Sequence, residues 1–340
     1  MNDPNVVVAA PNVSAVLGGA VGSEEGLRDR ARGVMLGLAV GNLLGLPMEG
    51  RSYRESDRWY PEGVHDIDPR EVRRPMDDDL AQSVDLGEAL LGGRDYVGEF
   101  GRRLVAWRRE NGRGIGITTD RVIGVLEAGH RPPDAARIVY KENPIAPNGG
   151  VMRCAPVALA RIREPELLVR DSAATCVVTH YAPTSQWSCI VINAVIALLL
   201  KGIEPGLSAL MAAASEDGCP DMLGAALRDG IPSGVLESIA GGGQVPEDCS
   251  WLRRDQRLIG HTLIALRAGL WAAVTPLGFE EALRQVVEAG GDTDTNGAVA
   301  GAVLGARYGA SGIPGRWTDV VPERDRIEGV ADGLLEPAAG

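Results

Sequence analysis

RARGVMLGLAVGNLLGLPMEG, residues 30–50, and GGDTDTNGAVAGAVLGARYG, residues 290–309, carry glycine at every fourth position. Gly33, Gly37, Gly41 and Gly45 recur in the first; Gly297, Gly301, Gly305 and Gly309 recur in the second. Residues four apart share one helix face, so each segment presents a bare backbone stripe. An interior glycine costs about 0.5–1 kcal/mol relative to alanine, so four in one helix need a compensating contact. Two arrangements supply it. The helices cross antiparallel at short distance, which would bring Glu49 beside Asp292 and Asp294, or each stripe packs separately against bulky neighbours.

Around these stripes the apolar spacing is mostly helical. Residues 27–46, 80–91, 122–126, 156–162, 185–201, 258–274 and 297–308 all fit helical stripes. Alternating patterns are scarce, and 173–179 is the longest strand candidate. The expected fold class is all-α, a single compact multi-helix domain over 23–335. Residues 1–22 are small, polar and glycine-rich and read as a disordered leader. Residues 215–256, rich in Gly, Pro, Asp and Ser, read as a surface excursion.

With 340 residues the chain can bury a large core without disulfides or a structural metal. Its net charge of −12 argues against a nucleic-acid partner, which requires clustered Lys and Arg. Five cysteines, none in a C-x-x-C pair, suit reduced thiols and a cytoplasmic setting. The apolar run 189–200 is too short for a membrane span and contains Asn193. The glycine repeats mimic a membrane dimer motif, but Arg32 and Arg307 lie within or beside them. The expectation is a monomer that engages neither membrane nor nucleic acid.

Chemistry is concentrated in two acidic clusters, each opening a helix. Asp77-Asp78-Asp79 precedes one helical run, and Asp292-Thr293-Asp294-Thr295 precedes the other. Aspartate at a helix start accepts orphan N–H groups and complements the dipole, so capping explains part of each. Three adjacent carboxylates exceed what a cap needs. Asp292, Asp294 and Thr295 are hard oxygen donors suited to Mg²⁺ or Mn²⁺.

Six segments in order make a more specific pattern: 30–50, the Asp77–Asp79 run, GRGIGITT at 112–119, NGGVMRCAP at 148–156, Thr179-His180, and 290–309. Together they resemble the ADP-ribosylglycohydrolase family over about residues 24–320. The resemblance implies an all-α fold with a cleft holding two divalent cations, Mg²⁺ or Mn²⁺. It places metal ligands at Asp78, Asp79, Asp292, Asp294 and Thr295, with Asp77 and Asp78 as the alternative register of the first pair. It places Glu49 near metals and substrate, with Asp78 and Asp294 beside it as the catalytic carboxylates. Gly114, Gly116 and Thr118 would lie near phosphates, Asn148, Gly149, Gly150 and Met152 would line the substrate, and His180 would stand near the ligand.

This chain departs from the family pattern at four places. Asp77 stands for a usual Thr, Leu80-Ala81 for Thr-Gln, Asn42 for an Asp, and Gly150 for a Ser. The implied substrate is an ADP-ribosylated protein arginine or small-molecule conjugate, cleaved at ribose C1″. The competing expectation is a catalytically silent ADP-ribose-binding or structural member. Tyr181 and Trp187 suit either adenine stacking or core packing. His180, taken alone, is more often a core histidine than a catalytic one.

Overall fold

The computed structural model describes residues 5–20, 22–93, 95–220 and 259–336. Helices dominate: α1 Pro11–Val16, α2 Glu24–Gly45, α3 Tyr53–Trp59, α4 Pro69–Val72, α5 Asp78–Leu91, α6 Tyr96–Glu110, α7 Ile117–Glu127, α8 Pro132–Glu142 and α9 Pro156–Ala160. They continue as α10 Pro165–Cys176, α11 Pro183–Leu200, α12 Leu207–Glu216, α13 Thr262–Val274, α14 Phe279–Glu288, α15 Thr293–Tyr308, α16 Gly315–Thr318 and α17 Arg324–Leu335. The all-α expectation holds.

The two glycine stripes meet. A Cβ on Gly37 would overlap the Gly301 carbonyl, one on Gly41 that of Gly297, and one on Gly33 that of Gly305. The pairs run in opposite directions, so α2 and α15 are antiparallel and touch backbone to backbone. Thr293 Oγ1 donates to the Gly45 carbonyl at 2.7 Å and pins the start of α15 to the end of α2. Around this pair sit α11 and α13, buried on nearly every side.

Two expectations are corrected, and one alternative left open by the sequence is decided. Residues 173–176 are the end of α10, not a strand; burial there is continuous rather than alternating, as in a helix enclosed on all sides. The leader expected to be disordered contains α1, with Val13 and Leu17 buried. It is tied down by Asp217, which accepts from the Val13 N–H at 2.9 Å, and by Lys201, whose Nζ donates to the Leu17 carbonyl at 2.7 Å. Tyr181 and Trp187 are buried core residues, Tyr181 tilted against Tyr140 at 5.7 Å. Of the excursion at 215–256, residues 221–256 lie outside the described residues.

A two-residue ladder, not foreseen, forms where the stripe ends. β1 (Arg51–Ser52) pairs antiparallel with β2 (Gly290–Gly291), and the Gly50 N–H donates to the Gly291 carbonyl at 2.8 Å. Gly290 has φ +79°, and a Cβ there would sit 2.5 Å from the Tyr53 nitrogen. This close approach fixes Glu49 on one strand's flank and Asp292 on the other's.

Candidate metal centre

Asp77 stands at the N-cap of α5 and Asp292 at that of α15, yet neither side chain makes a capping hydrogen bond. Asp77 Oδ2 instead accepts from Asn42 Nδ2 of α2 at 3.0 Å. Asp292 Oδ2 accepts from Asn148 Nδ2 at 2.8 Å. Capping, the simpler reading of both clusters, leaves these contacts unexplained.

The clusters converge. Oxygens of Asp77, Asp79 and Asp294 lie within 4.8 Å of one another, all three residues buried. Asp79 Oδ2 accepts from Thr295 Oγ1 at 3.3 Å. Among the described residues, Asp77 Oδ1, Asp79 Oδ1 and Asp294 Oδ1 have no hydrogen-bond partner. Buried carboxylate oxygens left unpaired together are strongly disfavoured, and a hard cation is the chemistry that satisfies them. The donors are all oxygen, which fits Mg²⁺ or Mn²⁺ and suits softer metals poorly.

The electrostatics point the same way. Burial, reinforced by Asp78, Asp77 and Asp292, pushes the Asp79 carboxyl well above its ordinary range. Burial followed by Asp79, Asp292 and Glu49 does the same to Asp294. Asp78 is raised by burial, then by Asp77, Asp292 and Glu49. Glu49, less buried, is raised by burial, then by Asp292 and Asp77, while Arg113 opposes the shift. Asp77 is raised by burial against the bond from Asn42. Burial leads every one of these shifts, and at Glu49, Asp78, Asp79 and Asp294 the like charges of neighbouring carboxylates add to it.

Around the carboxylates the loops expected from the sequence fall into place unevenly. Asp78 lies beneath Gly114, whose φ is +78° and whose Cβ would overlap Asp78 Oδ1. Arg113 anchors that loop to the Pro75 carbonyl at 2.9 Å and to Glu71, and Asn111 Nδ2 donates to the Met76 carbonyl at 2.7 Å. Gly116 caps α7 with open space beside it, and Thr118 lies in the first turn. Asn148 joins the acidic group directly. Gly149 and Gly150 press onto the layer beneath: a Cβ at 149 would sit 2.6 Å from His180 Cε1, and one at 150 would sit 2.8 Å from Cys176 Sγ. Met152 is buried, its N–H bonded to the Asn148 carbonyl at 3.1 Å. His180 is buried under this loop rather than open to solvent.

Sequence reading missed three contributors. Asn42 was visible only as a departure; its buried bond to Asp77 shows why an amide works there. Arg113 and Arg153 sat inside quoted motifs without a role. A cavity of about 1260 Å³ opens along α6 and α8, lined by residues such as Val105, Arg109, Tyr140 and Tyr181. None of the expected site residues lines it. Size alone does not make it the reactive centre, because the unpaired buried donors are elsewhere.

Residues 23–340 match the model of the family described as ADP-ribosylglycohydrolase. The chain is 27% identical to the ADP-ribosylarginine hydrolase Tri1 of Serratia proteamaculans, covering 90% of this chain and 79% of that protein. It is 29% identical to the ADP-ribosyl-dinitrogen reductase glycohydrolase of Rhodospirillum rubrum, covering 91% and 96%. A solved structure described as an ADP-ribosylglycohydrolase-related protein complex superposes with a TM-score of 0.69 at 28% identity, covering 92% of this chain and 98% of that one. With the fold, the acidic trio and the whole-length match in agreement, the chain belongs to the ADP-ribosylglycohydrolase family, a family of hydrolases.

Proposed function

We propose that the chain releases ADP-ribose from an ADP-ribosylated acceptor, arginine first among candidates, in a reaction that depends on divalent cations. One observation carries this reading: Asp77, Asp79 and Asp294 are buried, bring carboxylate oxygens within 4.8 Å of one another, and each leave one oxygen unpaired among the described residues. A silent binding protein has little reason to keep such an arrangement, which costs stability whenever no cation occupies it. Asp77, Asp79 and Asp294, with Thr295 beside them, would hold one cation; Asp78, Asp292 and Glu49 border a second position. When bound, divalent cations there supply Lewis acidity and a water of lowered pKa.

The chain's own groups do the rest. Glycosidic cleavage at C1″ builds positive charge on the ribose, and a ring of carboxylates stabilises it. Glu49, partly buried and with its carboxyl raised by burial and then by Asp292 and Asp77, is placed to protonate a leaving group or to orient the attacking water. The open start of α7 at Gly116 presents N–H groups suited to phosphate oxygens. Asn148 holds Asp292 and the substrate loop in one register.

Support for arginine comes from the relatives: one is named for ADP-ribosylarginine and the other for ADP-ribosyl-dinitrogen reductase. The test is incubation with ADP-ribosylarginine and Mg²⁺ or Mn²⁺, following free ADP-ribose, beside a chelated control and Asp294→Ala. Metal-dependent release abolished in the variant is expected. Tight ADP-ribose binding without turnover on arginine, serine or small-molecule conjugates would favour the silent binder.

A further inference from the structure

Behind the acidic pocket lies a buried arginine that bonds to no carboxylate. Arg153 is 1% exposed, and its guanidinium carbon lies 4.9 Å from the centre of the Phe100 ring. Its Nη1 donates to Gln82 Oε1 of α5 at 2.5 Å, and its Nη2 donates to Thr179 Oγ1 at 2.5 Å. Thr179 Oγ1 is also 2.7 Å from His180 Nδ1. The far edge of that ring, Cε1 and Nε2, lies against Gly149, with Thr119 Oγ1 close by.

The donor inventory fixes the direction of each bond. Arginine has donors only, so Thr179 Oγ1 accepts from it. The threonine hydroxyl proton then needs an acceptor, and the one within reach among the described residues is His180 Nδ1. A buried hydroxyl without an acceptor is disfavoured, so Nδ1 must be bare. A neutral ring with a bare Nδ1 carries its proton on Nε2. That nitrogen makes no hydrogen bond among the described residues and faces the Gly149 backbone.

We infer that Arg153, acting through Thr179, is a positioning residue that holds His180 as the Nε2–H tautomer, a single fixed donor beneath the 148–150 loop for an oxygen acceptor of the substrate. The tautomer follows from the contacts alone; the identity of the acceptor rests on the function proposed above. The surroundings agree. Burial, then the Arg153 charge, hold the imidazole pKa well below its usual value, so the doubly protonated ring is disfavoured. The groups facing His180 are Arg153, the Thr119 and Thr179 hydroxyls, and the Cys176 thiol, which donates to the His180 carbonyl at 3.3 Å. No carboxylate hydrogen-bonds the ring among the described residues. The ring in this form offers a donor at Nε2, with Nδ1 already engaged by Thr179.

The test is long-range ¹H–¹⁵N correlation of the full chain labelled at histidine, near neutral pH. The chain has four histidines, and the spectrum of His180→Gln identifies the signal of interest. The expected result is a bare Nδ1 and a protonated Nε2. Thr179→Ser should keep this pattern and Thr179→Val should lose it. Wild-type protein with the proton on Nδ1, or with a charged ring, overturns the inference even if no variant folds. So does Thr179→Val that keeps the wild-type tautomer. Saturating ADP-ribose, with binding checked by calorimetry, should move the Nε2–H signal; an unmoved signal in the saturated protein overturns the donor role. Absence of ADP-ribose binding would overturn the functional reading and the donor role with it, while the tautomer stands or falls on the first spectrum.

Discussion

Between Gly33 and Gly41 the two long helices touch through bare backbone, and just past Gly45 they part around Glu49, Asp77, Asp78, Asp79, Asp292 and Asp294. The helix pair builds the stripe, and at its end the start of α5 joins it to build the pocket. Along the stripe, residues are chosen for having no side chain, and contact is maximal. At its end, residues are chosen for charge, and several oxygens are left unpaired. The stripe supplies rigidity to a pocket that is itself unfavourable without a ligand, a common division between scaffold and site.

The sharpest way to break this contrast is to fill the stripe. Gly41→Val would drive a branched side chain into the Gly297 carbonyl, beyond the usual overpacking cost of about 1–3 kcal/mol. Loss of the folded state in denaturant titration is expected; an unchanged midpoint would show that the helices separate freely. The opposite sign is expected in the pocket. Asp79→Asn, measured in chelator, should raise stability, because burial and the neighbouring charges of Asp78, Asp77 and Asp292 hold that carboxyl well above its ordinary range. A variant less stable than wild type in chelator would mean that the carboxylate is paired in a way the geometry does not show.

The pH dependence sharpens the same point. Asp78, Asp79 and Asp294 have folded pKa values raised above those of the unfolded chain. Their contribution is full below the ordinary carboxylate pKa and is lost as pH rises through the folded values. Chelated protein should therefore melt at lower temperature as pH rises through that window, and Mg²⁺ or Mn²⁺ should flatten the slope. Equal slopes with and without cation would count against occupancy. The smallest effect belongs to the outer edge of α2, where Arg32 donates to Asp332 at 2.6 Å. The arginine is more than a third exposed, so Arg32→Ala should cost no more than about 0.5 kcal/mol.

Legibility in the sequence followed the same division. The stripe could be read because glycine at a four-residue period has a geometric meaning independent of the rest of the chain. Its partner could not be read: a stripe against bulky neighbours would look identical. The acidic residues were visible as types, but their roles were not. Asp77 and Asp292 sit where caps sit, and only the Asn42 and Asn148 bonds show that they turn elsewhere. Asp77, carried in the sequence reading as the alternative register beside the Asp78–Asp79 pair, joins the trio, whereas Asp78 lies under Gly114. Arg153 was hidden because a buried arginine with neutral partners leaves no charge pattern along the chain. The 173–179 error came from a run of β-branched residues of which Thr175 lies in the last turn of a helix and Val177, Val178 and Thr179 form the buried turn after it.

What stands or falls first is the proposed divalent cation site formed by the carboxylates at the end of the glycine stripe. Its most direct measurement is a Mn²⁺ titration of metal-free protein, followed by electron paramagnetic resonance, beside Asp79→Asn and Asp294→Asn. Saturable binding by the wild type, lost or greatly weakened in both variants while their folds persist, is the expected result. Wild-type protein that leaves Mn²⁺ free in solution, or variants that bind it as the wild type does, would contradict the claim.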